Sequence, residues 1–396
     1  MKKLAVDGGV PVRVKMLPYG HQWIDDQDIV AVVNTLRSDW LTTGPRIAEF
    51  EAAFANRVGA KYAIAVSSGT AALHAASHVA GIQLGDEVIV PAITFVASAN
   101  CVVYCGGTPI FADVEPGTLL LDPNRLEEKL TKKTKAVISV DYAGHPVNYD
   151  HLHDFCNQHN LVFISDACHA LGAEYWGKKV GSLADLNTFS FHPVKHISTG
   201  EGGMITTNGA DRAKALRIFR SHGIATDHRQ REEANSWFYE MVDLGYNYRI
   251  TDFQCALGLS QLAKLENFLK RRRAIAVQYD KAFSQIQGVQ PLSVRGDATH
   301  AYHLYVIRLD LEALKATRQD VYRALRAEGI GVNVHYIPVH LHPFYQNQFG
   351  TKKGDCPVAE AAYERLLSLP IFPSMRDRDI EDVIAAVFKV CEAYRR

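Results

Sequence analysis

Apolar positions change their spacing along this chain, and the change divides it. In residues 25–38 they fall at Ile29, Val32, Val33 and Leu36, one face of a 3.6-residue period, and predict a helix. Leu41-Thr42-Thr43-Gly44-Pro45 is turn-rich, and a second helix is expected after it through Val58. From Ala63 the pattern alternates short β-type runs with helical stretches. The runs cover residues 63–66, 87–91, 108–112, 136–140, 162–165, 186–191 and 203–207. Most are separated by a helical stretch, which predicts an α/β fold built on a seven-stranded, mainly parallel sheet with helices on both faces.

A long helical period over 253–283 (Leu262, Leu265, Phe268, Leu269, Ile275, Val277) then leads away from the sheet. Its basic cluster, Lys270-Arg271-Arg272-Arg273, reads as the solvated face of that helix. Strand-like runs at 302–309 and 332–337, a helix at 318–328 and a final helix at 377–394 suggest a smaller α+β unit. The expected division is a large domain over 1–255, including the N-terminal segment, and a small C-terminal domain over 256–396. No internal repeat or low-complexity segment is present.

Composition removes several function classes. The 396 residues are 47% hydrophobic and 22% charged, and Lys+Arg equals Asp+Glu at 43 each. A net charge of zero gives no reason to expect nucleic acid or a membrane surface as partner. The most apolar stretch, 88–107, is interrupted by Pro91, Thr94, Ser98 and Asn100 and does not read as a membrane span. The first nine residues lack the apolar core of a secretory signal. Seven cysteines lie scattered without CxxC spacing, and Cys101 and Cys105 share a helix face as core residues. A cytoplasmic protein with reduced thiols is the simplest expectation.

Chemistry concentrates where strands end. Asp166 follows the buried run 162–165, and open α/β sheets place ligand groups just outside the carboxyl ends of strands. Lys195 lies between two β-type runs, beside a loop holding Gly200, Gly202 and Gly203. An aspartate and a lysine so placed form the pair that pyridoxal 5′-phosphate (PLP) requires. The amine condenses with the cofactor aldehyde, and the carboxylate holds the ring nitrogen protonated. Ser67-Ser68-Gly69-Thr70-Ala71-Ala72-Leu73 opens a helix after the first strand, suiting a phosphate or an ordinary N-cap.

Taken with Leu41-Thr42-Thr43-Gly44-Pro45 and Gly245-Tyr246-Asn247-Tyr248-Arg249, these blocks resemble the DegT/DnrJ/EryC1/StrS sugar aminotransferases, of PLP fold type I. The resemblance runs from Met16-Leu17-Pro18-Tyr19-Gly20 to Leu369-Pro370-Ile371-Phe372-Pro373. Val140-Asp141-Tyr142-Ala143-Gly144, His169, Ser190-Phe191-His192 and Phe219-Arg220-Ser221-His222-Gly223 are similar to the branch serving pseudaminic acid biosynthesis. The resemblance implies that Lys195 and Asp166 are catalytic and hold PLP. It implies that Gly69, Thr70 and Ser190 bind its phosphate, that Phe95 stacks on its ring, and that His169 bonds its phenolic oxygen. Many relatives have glutamine where His169 stands. Asn247 resembles a residue that reaches the phosphate from a neighbouring subunit, which implies a homodimer with shared sites. His335 and Tyr336 are candidates for reading the sugar, against the alternative of a strand end.

The implied reaction moves an amino group from L-glutamate to C4 of a UDP-linked 4-keto-6-deoxy-N-acetylhexosamine of the L-altro type. Another nucleotide 4-keto sugar, on a legionaminic, bacillosamine or dTDP-sugar route, is the alternative. A dehydratase of this family would carry histidine where Lys195 stands. A PLP-fold regulatory protein would not need Asp166, Ser190 and Lys195 together.

Overall fold

The computed structural model describes residues 3–226, 231 and 234–396. The first five strands in chain order are β1 (Tyr62–Val66), β2 (Glu87–Pro91), β3 (Thr108–Ala112), β4 (Thr134–Val140) and β5 (Val162–Asp166). A two-residue pair, β6 (Glu174–Tyr175) and β7 (Lys178–Lys179), precedes β8 (Leu186–Ser190) and β9 (Gly203–Thr207). The seven runs expected from the sequence form one sheet in the order β1-β9-β8-β5-β4-β2-β3. β9 is antiparallel to both neighbours, and every other pairing is parallel. Ile64, Val88, Ile89, Val137, Ile138 and Ile164 are fully buried, because helices cover both faces and leave no strand a wet side. The parallel strands therefore end together on one edge, and the loops leaving β2, β4, β5 and β8 converge there.

A second, smaller antiparallel sheet joins β10 (Val289–Pro291), β12 (Tyr305–Leu309) and β13 (Leu366–Leu369), while β11 (Ala298–Thr299) pairs with β6. The expected strand at 332–337 is corrected by this sheet, whose third strand is β13. Only Asn333 pairs, exchanging two backbone bonds with Ser368 (3.2 and 2.8 Å). Asn333 Oδ1 then accepts the Val334 N–H at 2.8 Å, a local bond that diverts the backbone from the ladder. The chain turns inward and carries His335 and Tyr336 toward the large sheet. Around the small sheet, Ile275, Tyr279, Ile307, Val383 and Val387 form a buried cluster that also takes in Leu4 and Leu17.

Two faces differ from their sequence reading. In the helix Asp26–Leu36, Ile29 and Leu36 are exposed (53% each), and the buried positions are Asp28 and Thr35. The cause is Asp28, which accepts from Gln261 Nε2 at 2.7 Å and pairs with Lys264 at 2.8 Å on the helix Asp252–Phe283. In that long helix Lys270 is exposed, yet Arg272 is buried. Its Nη1 donates to the carbonyls of Tyr302 (3.1 Å), His303 (3.3 Å) and Ile371 (2.9 Å). Those carbonyls belong to irregular segments with no ladder partner, and a guanidinium can serve several at once. Val277, expected on the apolar face, is 66% exposed. All seven cysteines are free, and among the described residues no helix is long and apolar enough to cross a membrane.

Candidate active site

A cavity of about 550 Å³ opens at the carboxyl ends of β2, β4, β5 and β8. Gly69, Thr70, Phe95, Asp166, His169, Ser190, Lys195, His335 and Tyr336 all line it; Asn247 does not. Apart from Asn247, the residues singled out in sequence thus come from five separate segments and meet in one place.

Asp166 ends β5 and is 6% exposed. Its Oδ2 accepts from Ser98 Oγ at 2.6 Å and its Oδ1 from the Cys168 N–H at 3.2 Å. Lys195 sits in the loop between β8 and β9, where its backbone N–H bonds the His192 carbonyl at 2.9 Å. Burial pushes the Lys195 amine below its usual pKa, against the opposing pull of Cys168 and Asp166. The neutral amine, the form that is nucleophilic or basic, is correspondingly favoured.

The opposite end of the cavity is built by close approach of backbone. Ser68 caps the helix Gly69–Val79, its Oγ accepting from the Ala71 N–H at 3.1 Å. A Cβ on Gly69 would stand 2.7 Å from Ser190 Cβ, and one on Gly203 only 2.3 Å from the Ser68 carbonyl oxygen. Glycine at these two positions lets the helix start and the end of β8 touch. The result is a cradle where uncapped N–H groups, the Ser190 hydroxyl and the positive end of the helix dipole converge.

A ring-lined wall completes the site. His169 Nε2 lies 3.2 Å from Tyr336 Oη, and its Nδ1 is buried with no protein partner. Burial, aided by the nearby positive charge of Lys195, pushes the His169 pKa well down, so its imidazole is neutral near pH 7. His335 Nδ1 is 2.8 Å from Ser368 Oγ, and burial lowers its pKa to about 3. Tyr142 Oη donates to the His335 carbonyl, fixing this inward turn against the end of β4. Phe95 stays 56% exposed at the cavity mouth, its ring 6.0 Å from that of Tyr336.

Asn247 is exposed and bridges Ser221. The next residue, Tyr248, accepts the Ser67 N–H at 2.9 Å through its carbonyl, which sets this segment beside the start of the helix Gly69–Val79 but outside the cavity. Sequence reading missed Ser98, His303 and Tyr19. The His303 ring is 4.3 Å from that of His169, and the Tyr19 ring is 5.3 Å from that of His335. The aromatic run His300-Ala301-Tyr302-His303 was a visible signal for His303; nothing local marked the other two.

This donor set fits PLP. A lysine amine and a carboxylate face one cavity, a cradle that a single methyl would fill suits a phosphate, and the orphaned His169 Nδ1 leaves one buried polar atom to satisfy. Comparison with known proteins agrees. The model of the DegT/DnrJ/EryC1/StrS aminotransferase family matches residues 22–388. The spore coat polysaccharide biosynthesis protein SpsC of Bacillus subtilis is 44% identical over 96% of this chain and 98% of its own length. Among solved structures, Helicobacter pylori PseC, an aminotransferase involved in the biosynthesis of pseudaminic acid, superposes with a TM-score of 0.90. It is 33% identical, covering 96% of this chain and all of that one. Spr1654 of Streptococcus pneumoniae, in its PLP form, gives 0.88 at 32% identity over 96% and 99%. The chain belongs to the DegT/DnrJ/EryC1/StrS family and is a PLP-dependent sugar aminotransferase.

Proposed function

We propose that this enzyme transfers the amino group of L-glutamate to C4 of a UDP-linked 4-keto-6-deoxy-N-acetylhexosamine of the L-altro type, the amination step of a pseudaminic acid route. The observation that carries the chemistry is the meeting of Lys195 and Asp166 in one cavity with the Gly69–Ser190 cradle. The likeness to PseC, together with histidine at position 169, supports the pathway. A second reading has its own support. The higher identity to SpsC favours a different nucleotide 4-keto sugar destined for a polysaccharide.

When bound, PLP supplies an aldehyde that condenses with amines and a ring that accepts electrons. The rest falls to the chain. Gly69 and Thr70 N–H groups and the Ser190 hydroxyl bind the phosphate, and the Phe95 face supports the ring by offset stacking. Asp166 accepts the ring N–H, keeping that proton in place in a site of low dielectric. His169, neutral, serves the phenolic oxygen. With PLP bound, Lys195 would serve as general base toward the substrate α-carbon and then as general acid toward the carbon that carried the aldehyde, so that the proton changes carbon. Its lowered pKa suits it to the first of these steps. His335 and Tyr336 face the side where the sugar would enter.

By the family resemblance Asn247 would reach the phosphate from a second copy, and the active form would then be a homodimer with shared sites; its place outside the cavity of its own chain supports this reading. Exposed Ile29, Val30 and Leu36 on the helix Asp26–Leu36 supply apolar surface for such an interface. The free thiols fit a reducing compartment such as the cytoplasm. Lys195→Ala and Asn247→Ala subunits, mixed, should recover part of the activity that each lacks; dimeric mixtures without any recovery would exclude shared sites. For the substrate, purified enzyme is given glutamate and a panel of nucleotide 4-keto sugars, with products weighed by mass spectrometry. Turnover fastest on the UDP-L-altro keto sugar supports the pseudaminic route. Preference for another sugar moves the enzyme to that route.

A further inference from the structure

Asp166 is held by more than its strand. Ser98 lies on the first turn of the helix Ala97–Tyr104, which follows β2, whereas Asp166 ends β5. The two are 68 residues apart in sequence, yet Ser98 Oγ donates to Asp166 Oδ2 at 2.6 Å. That separation is in the short range of hydroxyl-to-carboxylate bonds. Thr94 Oγ1 lies 2.7 Å from Ser98 Oγ. A carboxylate only accepts, so the single Ser98 proton points to Asp166 and Thr94 donates to Ser98 in turn. Thr94 is 2% exposed and Ser98 not at all, so no water competes for these bonds.

We propose that Ser98, oriented by Thr94, is a positioning residue for Asp166: the hydroxyl chain Thr94–Ser98–Asp166 fixes the face that the carboxylate presents to the cofactor ring nitrogen. The inference rests on the reading of Asp166 given above. One acceptor position on Oδ2 goes to Ser98 and one on Oδ1 to the Cys168 N–H at 3.2 Å. Rotation of the carboxylate about Cβ–Cγ would break both bonds at once, so its remaining acceptor positions keep one direction. Thr94 and Phe95 also line the cavity. A single segment, 94–98, therefore presents the aromatic platform and aims the carboxylate, coupling the ring's face to its edge.

The test uses full-length enzyme with PLP. Ser98→Ala, Thr94→Val and Ser98→Thr are compared with wild type and with Asp166→Asn in three measurements. These are PLP affinity of the apo form, pH titration of the bound cofactor's visible absorbance, and single-turnover rate with glutamate. Ser98→Ala is expected to shift the absorbance midpoint by at least half a pH unit. It should weaken PLP binding several-fold and slow the glutamate step about tenfold, the worth of one bond to a charged group, with KM for glutamate within twofold. Thr94→Val should move each quantity the same way by less, and Ser98→Thr, which keeps the hydroxyl, should restore them. In an Asp166→Asn background Ser98→Ala should cost little more, since both act through one group; a purely packing role would add in full. Wild-type titration and affinity in a folded Ser98→Ala protein, with Asp166→Asn severely impaired, overturns the Ser98 inference alone. An Asp166→Asn protein that titrates and turns over like wild type overturns the reading of Asp166 and this inference with it. Should Ser98→Ala fail to fold, unchanged titration in Thr94→Val decides against the chain.

Discussion

Replacing Arg272 with methionine separates the structure from the sequence reading, because the two assign that residue opposite environments. The guanidinium is 1% exposed and donates to three carbonyls, at 3.1, 3.3 and 2.9 Å. Burial lowers its pKa from 12.5 to about 10, a desolvation cost of roughly 3 kcal/mol at about 1.4 kcal/mol per unit. All three contacts come from Nη1, which carries two hydrogens, so one is shared; two full bonds from a charged donor at about 1.5–3 kcal/mol each give about 3–6 kcal/mol. Methionine keeps much of the stem's volume, recovers the desolvation cost and leaves the three carbonyls without the donor. The difference, about 0–3 kcal/mol, plus about 1–3 kcal/mol for carbonyls left unpaired, predicts a loss of about 1–6 kcal/mol in urea unfolding, with Lys270→Met as the exposed control, expected to stay within about 0.5 kcal/mol. Two of the carbonyls belong to Tyr302 and His303, and His303 lines the cavity, so PLP affinity should fall as well. A loss below about 1 kcal/mol, matching that of Lys270→Met, would refute the buried role and restore the solvated face.

Other outcomes follow from the same geometry. Gly69→Ala puts a methyl 2.7 Å from Ser190 Cβ; overpacking of about 1–3 kcal/mol should weaken PLP binding about 5- to 150-fold. Unchanged affinity in a titration of apo protein would mean that the cradle does not take the phosphate. His74, His145 and His335 are lowered by burial to about 4, 4 and 3 from 6.5. Between those values and pH 6.5 the unfolded chain binds protons that the fold refuses, so their contribution is full above pH 6.5 and lost as pH falls toward 4. Thermal unfolding from pH 7 to 4.5 should show a falling midpoint, and a flat profile would contradict the neutral, buried imidazoles. Asp141 works the other way. Burial chiefly, with Asp166 nearby, raises its pKa to about 7, so its contribution is present at low pH and declines from about pH 4 to 7. Asp141→Asn should therefore steepen the acid loss of stability, and a shallower profile would contradict that assignment.

Much of this was legible in the sequence because period and burial coincide in a parallel sheet. Runs such as 87–91 and 162–165 are apolar on both faces, and strands covered on both faces need to be. Lys195 and Asp166 were legible because strand ends are where such folds place their chemistry. What escaped depends on partners distant in sequence. Arg272 sits among three basic neighbours, and only the folded loops at 302–303 and 371 show why one of the four is buried. Asp28 buries while Ile29 does not because Gln261 and Lys264 lie more than two hundred residues away. The segment 332–337 has a strand's composition, but the Asn333 side chain ends the ladder after one pair. Ser98 is one of many serines until Asp166 stands 2.6 Å from it.

The central claim is that Lys195 holds the cofactor. The most direct measurement is borohydride reduction of the purified, PLP-loaded enzyme followed by peptide mass mapping. The account predicts one modified peptide, with the reduced cofactor's mass on Lys195 and none in Lys195→Ala. Cofactor on a different lysine, or no covalent adduct in a PLP-saturated protein, would contradict it.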